Sequence, residues 1–171
     1  MYLDKVKAQL EELHIVRVEK IIPCTEEEVR ILERKIRHSL PAAYREFLLW
    51  MGQGTGGLFQ GSECLYWDLI PLQKAAVKLM QEDEFVDPLP EDAFVFLMHQ
   101  GYQFHFFRTN EGDDPPIYYY LEEQEQSSIR TVYSHFSDFL LAMVENHAQI
   151  ANYIASHRPD QPKDGQILQD K

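Results

Sequence analysis

Residues 93–120, with the sequence AFVFLMHQGYQFHFFRTNEGDDPPIYYY, decide the fold. Two apolar runs flank Gln100-Gly101, and a stretch of turn-forming residues separates the second run from PIYYYLE. Short runs rich in aromatic and β-branched residues, separated by turn signals, are typical of an antiparallel meander. Together with the later run IRTVY, the pattern predicts a mostly antiparallel sheet of about five or six strands.

The register of the first hairpin determines which side chains share a face. A two-residue turn at Gln100-Gly101 pairs His99 with Tyr102, and it leaves His99 and His105 on opposite faces. On that register the two imidazoles do not reach one metal ion, and the remaining histidines are isolated. Because both faces of the hairpin are largely apolar, we expect it at the centre of the sheet, with helices on at least one side.

Helical patterns precede the strands. Apolar residues at spacings of three and four in LDKVKAQLEEL predict an N-terminal helix with one apolar stripe. Thr25 and Glu28 have the spacing of a capping box, which predicts the start of a second helix. Pro41 fits the first turn of a third helix, which we expect to end at Gly52.

The remaining segments complete one domain. CLYWDLIPL predicts a short strand, and QKAAVKLMQED predicts an amphipathic helix. Ser137, or Ser134 just before it, is positioned to cap a last helix. We therefore predict an α+β fold with a single domain over residues 1–157, in which helices pack around the sheet, and a flexible polar tail at 158–171.

The acidic composition limits the classes of partner. The chain has 28 acidic and 16 basic residues, a formal net charge of -12 and a pI near 4.9. Such a surface repels nucleic-acid phosphates and anionic membranes, and it favours cationic partners. The N-terminus lacks an apolar signal segment, and no stretch approaches the roughly 20 apolar residues of a membrane span. We therefore expect a cytoplasmic protein that binds neither nucleic acid nor membrane.

The sequence contains no pattern that predicts an enzyme. GQGTGG satisfies G-x-G-x-x-G through Gly52, Gly54 and Gly57, but it follows a helix and precedes a strand, the reverse of the order in a dinucleotide site. Cys24 and Cys64 form no C-x-x-C pair and have no evident base beside them. Paired carboxylates carry little information in so acidic a chain. We expect no catalytic residues, no cofactor and no metal ion.

Four segments taken together, HSLPAAYREFLLWMGQG, FVFLMHQGYQFHFF, DDPPIYYY and HFSDFLLAMV, resemble the SUKH superfamily. This superfamily is named from yeast cell-wall-assembly regulators and includes many bacterial toxin-immunity proteins. The resemblance spans about residues 20–145 in the family's order, and His135 stands where the family has serine. The family's motif positions correspond to Leu40, Pro41, Tyr44, Phe47, Leu48, Gly52, Pro116, Phe136, Phe139 and Leu140.

The resemblance implies an α+β domain that binds proteins and catalyses no reaction. Our first hypothesis is an immunity protein that neutralises a cognate bacterial toxin, for example a nuclease. A nuclease site attracts phosphate, so a chain of net charge -12 can compete for that basic surface through steered association and aromatic anchors. The predicted contact residues are Glu63, Tyr66, Trp67, Tyr102, Asp113, Asp114, Tyr118, Tyr120, Glu122 and Glu123.

Two alternatives to the immunity hypothesis remain open. The chain can be a general regulatory scaffold without a toxin partner, or a small-ligand-binding protein that uses the aromatic face of the sheet as its pocket. A single tightly bound protein partner would favour immunity, and stabilisation by a metabolite would favour the ligand binder. The sequence leaves the oligomeric state open.

Overall fold

The computed structural model of the chain describes residues 1–122 and 128–157. The helices in these ranges are α1 (Asp4–Leu13), α2 (Glu26–Ile36), α3 (Ala42–Met51), α4 (Leu69–Glu82) and α5 (Phe136–Ser156), with a 3-10 turn at Val18–Lys20. The strands are β1 (Ile21–Ile22), β2 (Gly54–Thr55), β3 (Ser62–Glu63), β4 (Ala93–His99), β5 (Gln103–Arg108), β6 (Ile117–Leu121) and β7 (Ser128–Tyr133). The predicted α+β class is confirmed. The predicted tail at 158–171 lies outside the described residues.

The main sheet is an antiparallel meander. Strands β3 to β7 follow one another in the sheet in chain order, and each pairs antiparallel with the next. β1 and β2 form a separate two-stranded ribbon. Strands that neighbour in sequence and connect through short turns pair in this way because each hairpin can form locally.

The predicted register of the central hairpin is wrong. His99 pairs with Gln103 instead of Tyr102, because Tyr102 belongs to the turn with Gln100 and Gly101. Gln100 and Gly101 both have positive φ, 51° and 80°, which suits a tight hairpin turn. The shift by one residue places His99 and His105 on the same face of the sheet, whereas the sequence predicted opposite faces.

A bulge in β4 changes the faces a second time. Val95 pairs with Phe106 and Leu97 with His105, so Phe96 is an extra residue between them. As a result Phe96 and Leu97 both pack into the larger core cluster. A bulge of this kind interrupts the alternation on which the sequence prediction depended.

The sheet has two apolar faces that pack against different helices. We call the first the α5 face, formed by Phe94, Phe96, Leu97, His105 and Phe107, and the second the α4 face, formed by Val95, Met98, Phe104, Phe106 and Tyr120. Aromatic side chains of α3 and α5 cover the α5 face, and apolar side chains of α4 cover the α4 face. The core therefore consists of two layers on either side of one sheet.

Gln73 on α4 compensates for the short edge strand β3. Its Nε2 donates to the Val95 carbonyl at 2.7 Å, and its Oε1 accepts from the Val95 amide at 2.9 Å. β3 pairs only with Met98 and His99, so among the described residues the edge of β4 beyond them lacks a strand partner. Because Val95 is fully buried, the two bonds satisfy backbone groups that water does not reach.

The start of α2 follows the prediction, and the region before α4 does not. The Thr25 hydroxyl accepts from the Glu28 amide and the Glu28 carboxylate accepts from the Thr25 amide, so the predicted capping box is confirmed. The predicted strand in CLYWDLIPL is wrong, because α4 already begins at Leu69. Pro71 lies in the first turn of α4, where a missing N–H leaves no helical bond unmade.

The cap of α5 comes from a distant residue. Neither Ser134 nor Ser137 is the N-cap, which is His135, and no side chain next to it in sequence caps the helix. Instead Asp114, in the loop before β6, accepts from the Ser137 amide at 3.0 Å and from its hydroxyl at 2.6 Å. A carboxylate at a helix N-terminus stabilises it, so this contact joins the sheet to α5.

Candidate protein-binding groove

The α5 face is covered at one end only. Phe136 and Phe139 close the part beneath the first turns of α5, and an open groove of about 580 Å³ remains beside the rest of the helix. The groove lies between the sheet, the loop from β2 to β3 and the C-terminal half of α5. Its lining includes Leu58, Phe59, Leu97, His99, Gln103, His105, Phe139, Met143, Asn146, His147, Ile150 and Ile154.

The outer wall of this groove, which we call the α5 groove, exposes large apolar side chains. Ile150 and Ile154 are 51% and 53% exposed. Ile150 and Ile154 are one helical turn apart and both line the groove, while Leu97 and Phe139 on the floor are buried. Exposed apolar side chains that cluster beside a groove mark a surface suited to binding another molecule.

His105 lies in the floor and is uncharged at neutral pH. Its ring contacts Tyr119 and Phe139, with centroid distances of 4.8 and 5.2 Å. Burial among these rings lowers the pKa of His105 to about 4, and its Nδ1 has no hydrogen-bond partner among the described residues. The floor of the groove is therefore apolar and aromatic in character at pH 7.

His99 is held at the edge of the groove. The Ser62 hydroxyl and His99 Nδ1 are 2.9 Å apart, and the His99 ring contacts the ring of Tyr102. His147 lines the same groove from α5. Although three histidines share this groove, no group of three or more histidine, cysteine, aspartate or glutamate side chains in the described ranges is arranged to hold a metal ion.

The predicted contact residues do not form one surface. Three of them, Glu63, Tyr102 and Glu122, lie near the turn between β4 and β5. The Glu122 amide donates to the Tyr102 carbonyl at 3.1 Å, and Glu63 is in the neighbouring edge strand. Tyr66 and Trp67 lie in the turn before α4, where the Tyr66 hydroxyl donates to the Glu28 carbonyl. Trp67 is 55% exposed, which leaves its ring available to a partner.

The acidic residues before β6 have structural contacts of their own. Asp113 accepts from the Tyr2 hydroxyl at 3.3 Å, and its carbonyl accepts from the Ala43 amide. Asp114 is half-buried and caps α5. These two residues lie at the end of β5 away from the turn that contains Tyr102.

Of the two tyrosines in β6 that were predicted to contact a partner, one differs from the prediction. Tyr118 is half-buried and donates to Glu111 at 3.0 Å. Tyr120 is fully buried on the α4 face, where it stacks on Phe104 and donates to Asp83. Tyr120 is thus part of the core and is not available as an anchor. Glu123 lies outside the described residues.

The residues at the family-motif positions build the core beneath α3 and α5. Tyr44 is fully buried, and the rings of Phe47, Phe94, Phe96, Phe107 and Phe136 surround it at centroid distances of 5.1 to 5.9 Å. Leu40, Pro41, Phe47, Leu48, Gly52, Phe136, Phe139 and Leu140 are buried, and Pro116 is half-buried. Their contacts explain the fold, and only Phe139 among them also lines the α5 groove.

The glycine-rich loop and the cysteines have packing roles. A Cβ on Gly52 would lie 2.5 Å from Cys24 Sγ and 2.7 Å from the Leu48 carbonyl, and one on Gly54 would lie 2.6 Å from the Lys20 carbonyl. These glycines allow close backbone packing between α3, β1 and β2. Burial raises the pKa of both Cys24 and Cys64 to about 12, so both thiols stay protonated and unreactive.

Comparison with known proteins places the chain in a family. The family model described as SMI1 / KNR4 family (SUKH-1) matches residues 23–142, more than half of the chain. The match includes the whole sheet and reaches into α5, so the resemblance seen in the sequence is confirmed. No curated protein matches the chain. Among the described residues, no helix has the length and apolar character needed to cross a membrane.

Proposed function

The chain belongs to the SMI1 / KNR4 family (SUKH-1), and from that premise we propose that it is a protein-binding immunity domain. It acts without catalysis, by binding a basic bacterial toxin domain in the cytoplasm and blocking it. The α5 groove receives apolar side chains of that toxin. The proposal combines the function that the resemblance implied with a surface that the sequence did not reveal.

The observation that carries the proposal is the exposed apolar wall of the α5 groove. Ile150 and Ile154 are each about half exposed beside a groove of about 580 Å³. An apolar side chain inserted between them and Leu97 would be removed from water, which favours binding by about 25 cal/mol per Å² of apolar surface. Interfaces obtain much of their affinity from a few such buried anchors.

Net charge supports a basic partner. A chain with net charge -12 accelerates its encounter with a positively charged protein, and salt screens this attraction. The steering is a property of the whole molecule, because the lining of the α5 groove contains no carboxylate among the described residues. We therefore expect charge to set the association rate and the apolar groove to set the dissociation rate.

The test begins with identification of the partner. The tagged full chain serves as bait in lysate of its own organism, with washes at graded salt concentration and mass spectrometry of the retained proteins. Recovery of one basic toxin domain in stoichiometric amount, with loss at high salt, supports the proposal. Co-expression then measures whether the chain restores growth of cells that produce this toxin.

Matched variants connect the result to the groove. Ile150→Asp with Ile154→Asp places two charges in the apolar wall, and we expect loss of growth rescue and at least about 100-fold weaker binding. Val18→Asp is the control, because Val18 is 70% exposed and does not line the groove. Equal binding by the groove variant and the control would refute the α5 groove as the toxin site.

The other outcomes favour the alternatives. Recovery of several unrelated proteins, each without toxic activity, would favour the regulatory scaffold. The volume of the α5 groove also falls within the range of small-molecule sites, about 300–1,000 Å³. A metabolite that raises the unfolding temperature in a thermal-shift screen, and fails to do so with Ile150→Asp, would favour the ligand binder.

A further inference from the structure

A second apolar groove lies at the C-terminal end of α4. It has a volume of about 210 Å³ and is lined by Val77, Met80, Phe85, Val86 and Leu89, together with Gln81, Asp87 and Pro88. Val86 is 92% exposed and Val77 is 44% exposed, although both are aliphatic. We call this surface the α4 groove. Because α4 packs on the opposite face of the sheet from α5, the two grooves are separate surfaces.

The loop that forms the α4 groove is held in place by the core. The Phe85 amide donates to the Met80 carbonyl at 2.9 Å, and the Phe85 ring packs edge-on against Tyr120 at 5.4 Å. Tyr120 in turn donates to Asp83 at the start of the loop. Since Phe85 is anchored on both its backbone and its ring, the exposure of the next residue, Val86, is set by the fold.

The segment that forms this apolar surface is rich in carboxylates. The segment EDEFVDPLPED, residues 82–92, contains six acidic residues and no basic one. Asp92 pairs with Arg108 and Glu82 with Lys78. Asp87 lines the α4 groove and Glu84 directly precedes the lining residue Phe85, and both carboxylates are exposed and form no ion pair with a described residue. Glu91 lines a different cavity, together with Lys35 and Lys74. The rim of the groove therefore carries negative charge that the domain does not neutralise.

The end of α4 adds to this negative potential. A helix C-terminus carries a partial negative charge, which basic side chains in the last turn normally offset by about 0.3–1 kcal/mol each. The last turn of α4 contains no basic residue and ends in Glu82, with Glu84 two residues further on. The arrangement opposes the stability of the isolated helix and suits the binding of a cation.

We propose that the α4 groove binds a basic protein segment that carries an apolar side chain. Its lysine or arginine residues pair with Glu84 and Asp87, and its apolar side chain packs against Val86 and Val77. The occupant is a positively charged peptide because the rim carries unneutralised carboxylates, and it is amphipathic because the centre is aliphatic. The domain thereby has a second contact surface, which stays available when the α5 groove is occupied.

The test uses the full chain and two synthetic peptides. The ¹⁵N-labelled protein is titrated by NMR with the acetylated, amidated peptide KKLKKLKK and with its control KKSKKSKK, at two salt concentrations. We expect chemical-shift changes centred on residues 82–92, and binding of the leucine peptide about tenfold tighter than that of the serine peptide. Equal affinity for the two peptides, or shifts spread evenly over the acidic surface, would refute an apolar groove.

Two charge variants test whether the location of the carboxylates, and not only their number, determines the affinity for the peptide. Glu84→Gln and Asp87→Asn together remove two exposed charges, and we expect about fivefold weaker binding with a smaller salt dependence. The control removes two exposed charges elsewhere, with Glu11→Gln and Glu12→Gln. Equal weakening in both variants would show a net-charge effect only and would overturn the proposal.

Val86→Ser tests the apolar contact separately. Val86 is almost wholly exposed, so the substitution should leave the unfolding temperature unchanged and weaken the leucine peptide severalfold. An unchanged affinity would contradict the proposed contact. Because none of these titrations involves a toxin, failure of the α4 groove leaves the immunity proposal standing, and failure of the immunity proposal leaves the α4 groove standing.

Discussion

The α4 face and the α5 face carry similar apolar and aromatic side chains, yet one is closed and the other stays partly open. On the α4 face, Phe104, Phe106 and Tyr120 are at most 1% exposed, because α4 and the loop after it cover them. On the α5 face, Phe107 is equally buried beneath α3 and α5, whereas His105 reaches the floor of an open groove.

The difference shows that helix placement, more than strand composition, decides where a surface becomes available. α5 packs its first turns on the aromatic cluster, and its later turns leave Ile150 and Ile154 exposed beside the sheet. The bulge at Phe96 also affects the composition of the α5 face, because it places Leu97 and His99 on the same face of the sheet as Phe94. Two faces of similar composition thus become a closed core and a partly open groove.

The largest effect should come from the closed part of the α5 face. Phe136→Ala removes a fully buried ring that contacts Tyr44 and Phe96, and we expect a loss of about 3–5 kcal/mol in the free energy of unfolding. Ile150→Ala, at the open part, should cost no more than about 0.5 kcal/mol. Urea denaturation measures both, and similar losses would show that the groove is not open.

The next effect is pH dependence from the floor of the groove. The pKa of His105 is lowered to about 4 in the folded chain and is about 6.5 in the unfolded chain, so between these values only the unfolded chain is protonated. This contribution to stability is fully present above pH 6.5 and falls as the pH drops toward 4, by up to about 3 kcal/mol.

His105→Phe should remove this part of the pH dependence. The difference in unfolding free energy between wild type and the variant should be flat above pH 7 and change between pH 6.5 and 4, as measured by denaturation at several pH values. Tyr119→Phe keeps the ring against His105 and serves as the control that retains the wild-type slope. Parallel curves for wild type and His105→Phe would contradict the burial of this imidazole.

A smaller effect should come from the link between α4 and β4. Gln73→Leu leaves the buried amide and carbonyl of Val95 without their side-chain partner, and we expect a loss of about 2 kcal/mol in urea denaturation. Gln81→Leu lies on the same helix at an exposed position and should change stability by no more than about 0.5 kcal/mol. Equal effects would mean that the edge of β4 is satisfied without Gln73.

Much of the fold could be predicted from local patterns. The meander, the capping box at Thr25 and Glu28, and the end of α3 at Gly52 each depend on residues that are close in sequence. The cap of α5 depends instead on Asp114, which reaches Ser137 across 23 positions of the chain. A serine next to the helix start predicted a local cap because local reasoning does not include such a contact.

The candidate site was less predictable for the same reason. One residue added to the turn moved His99 to the face of His105, and nothing local in HQGYQF indicated this change. The apolar pair Ile150 and Ile154 was a usable signal, because its spacing of four marks one helical face. Whether that face is covered depended on the length by which α5 extends past the aromatic cluster.

The most direct test of the central claim is amide hydrogen exchange of the chain alone and with its captured partner. If the α5 groove is the binding site, protection should increase at residues 97–105 and 146–154, while residues 69–82 of α4 stay unchanged. Protection confined to α4 or to the end of the sheet near Asp113, with residues 146–154 unaffected, would contradict the account.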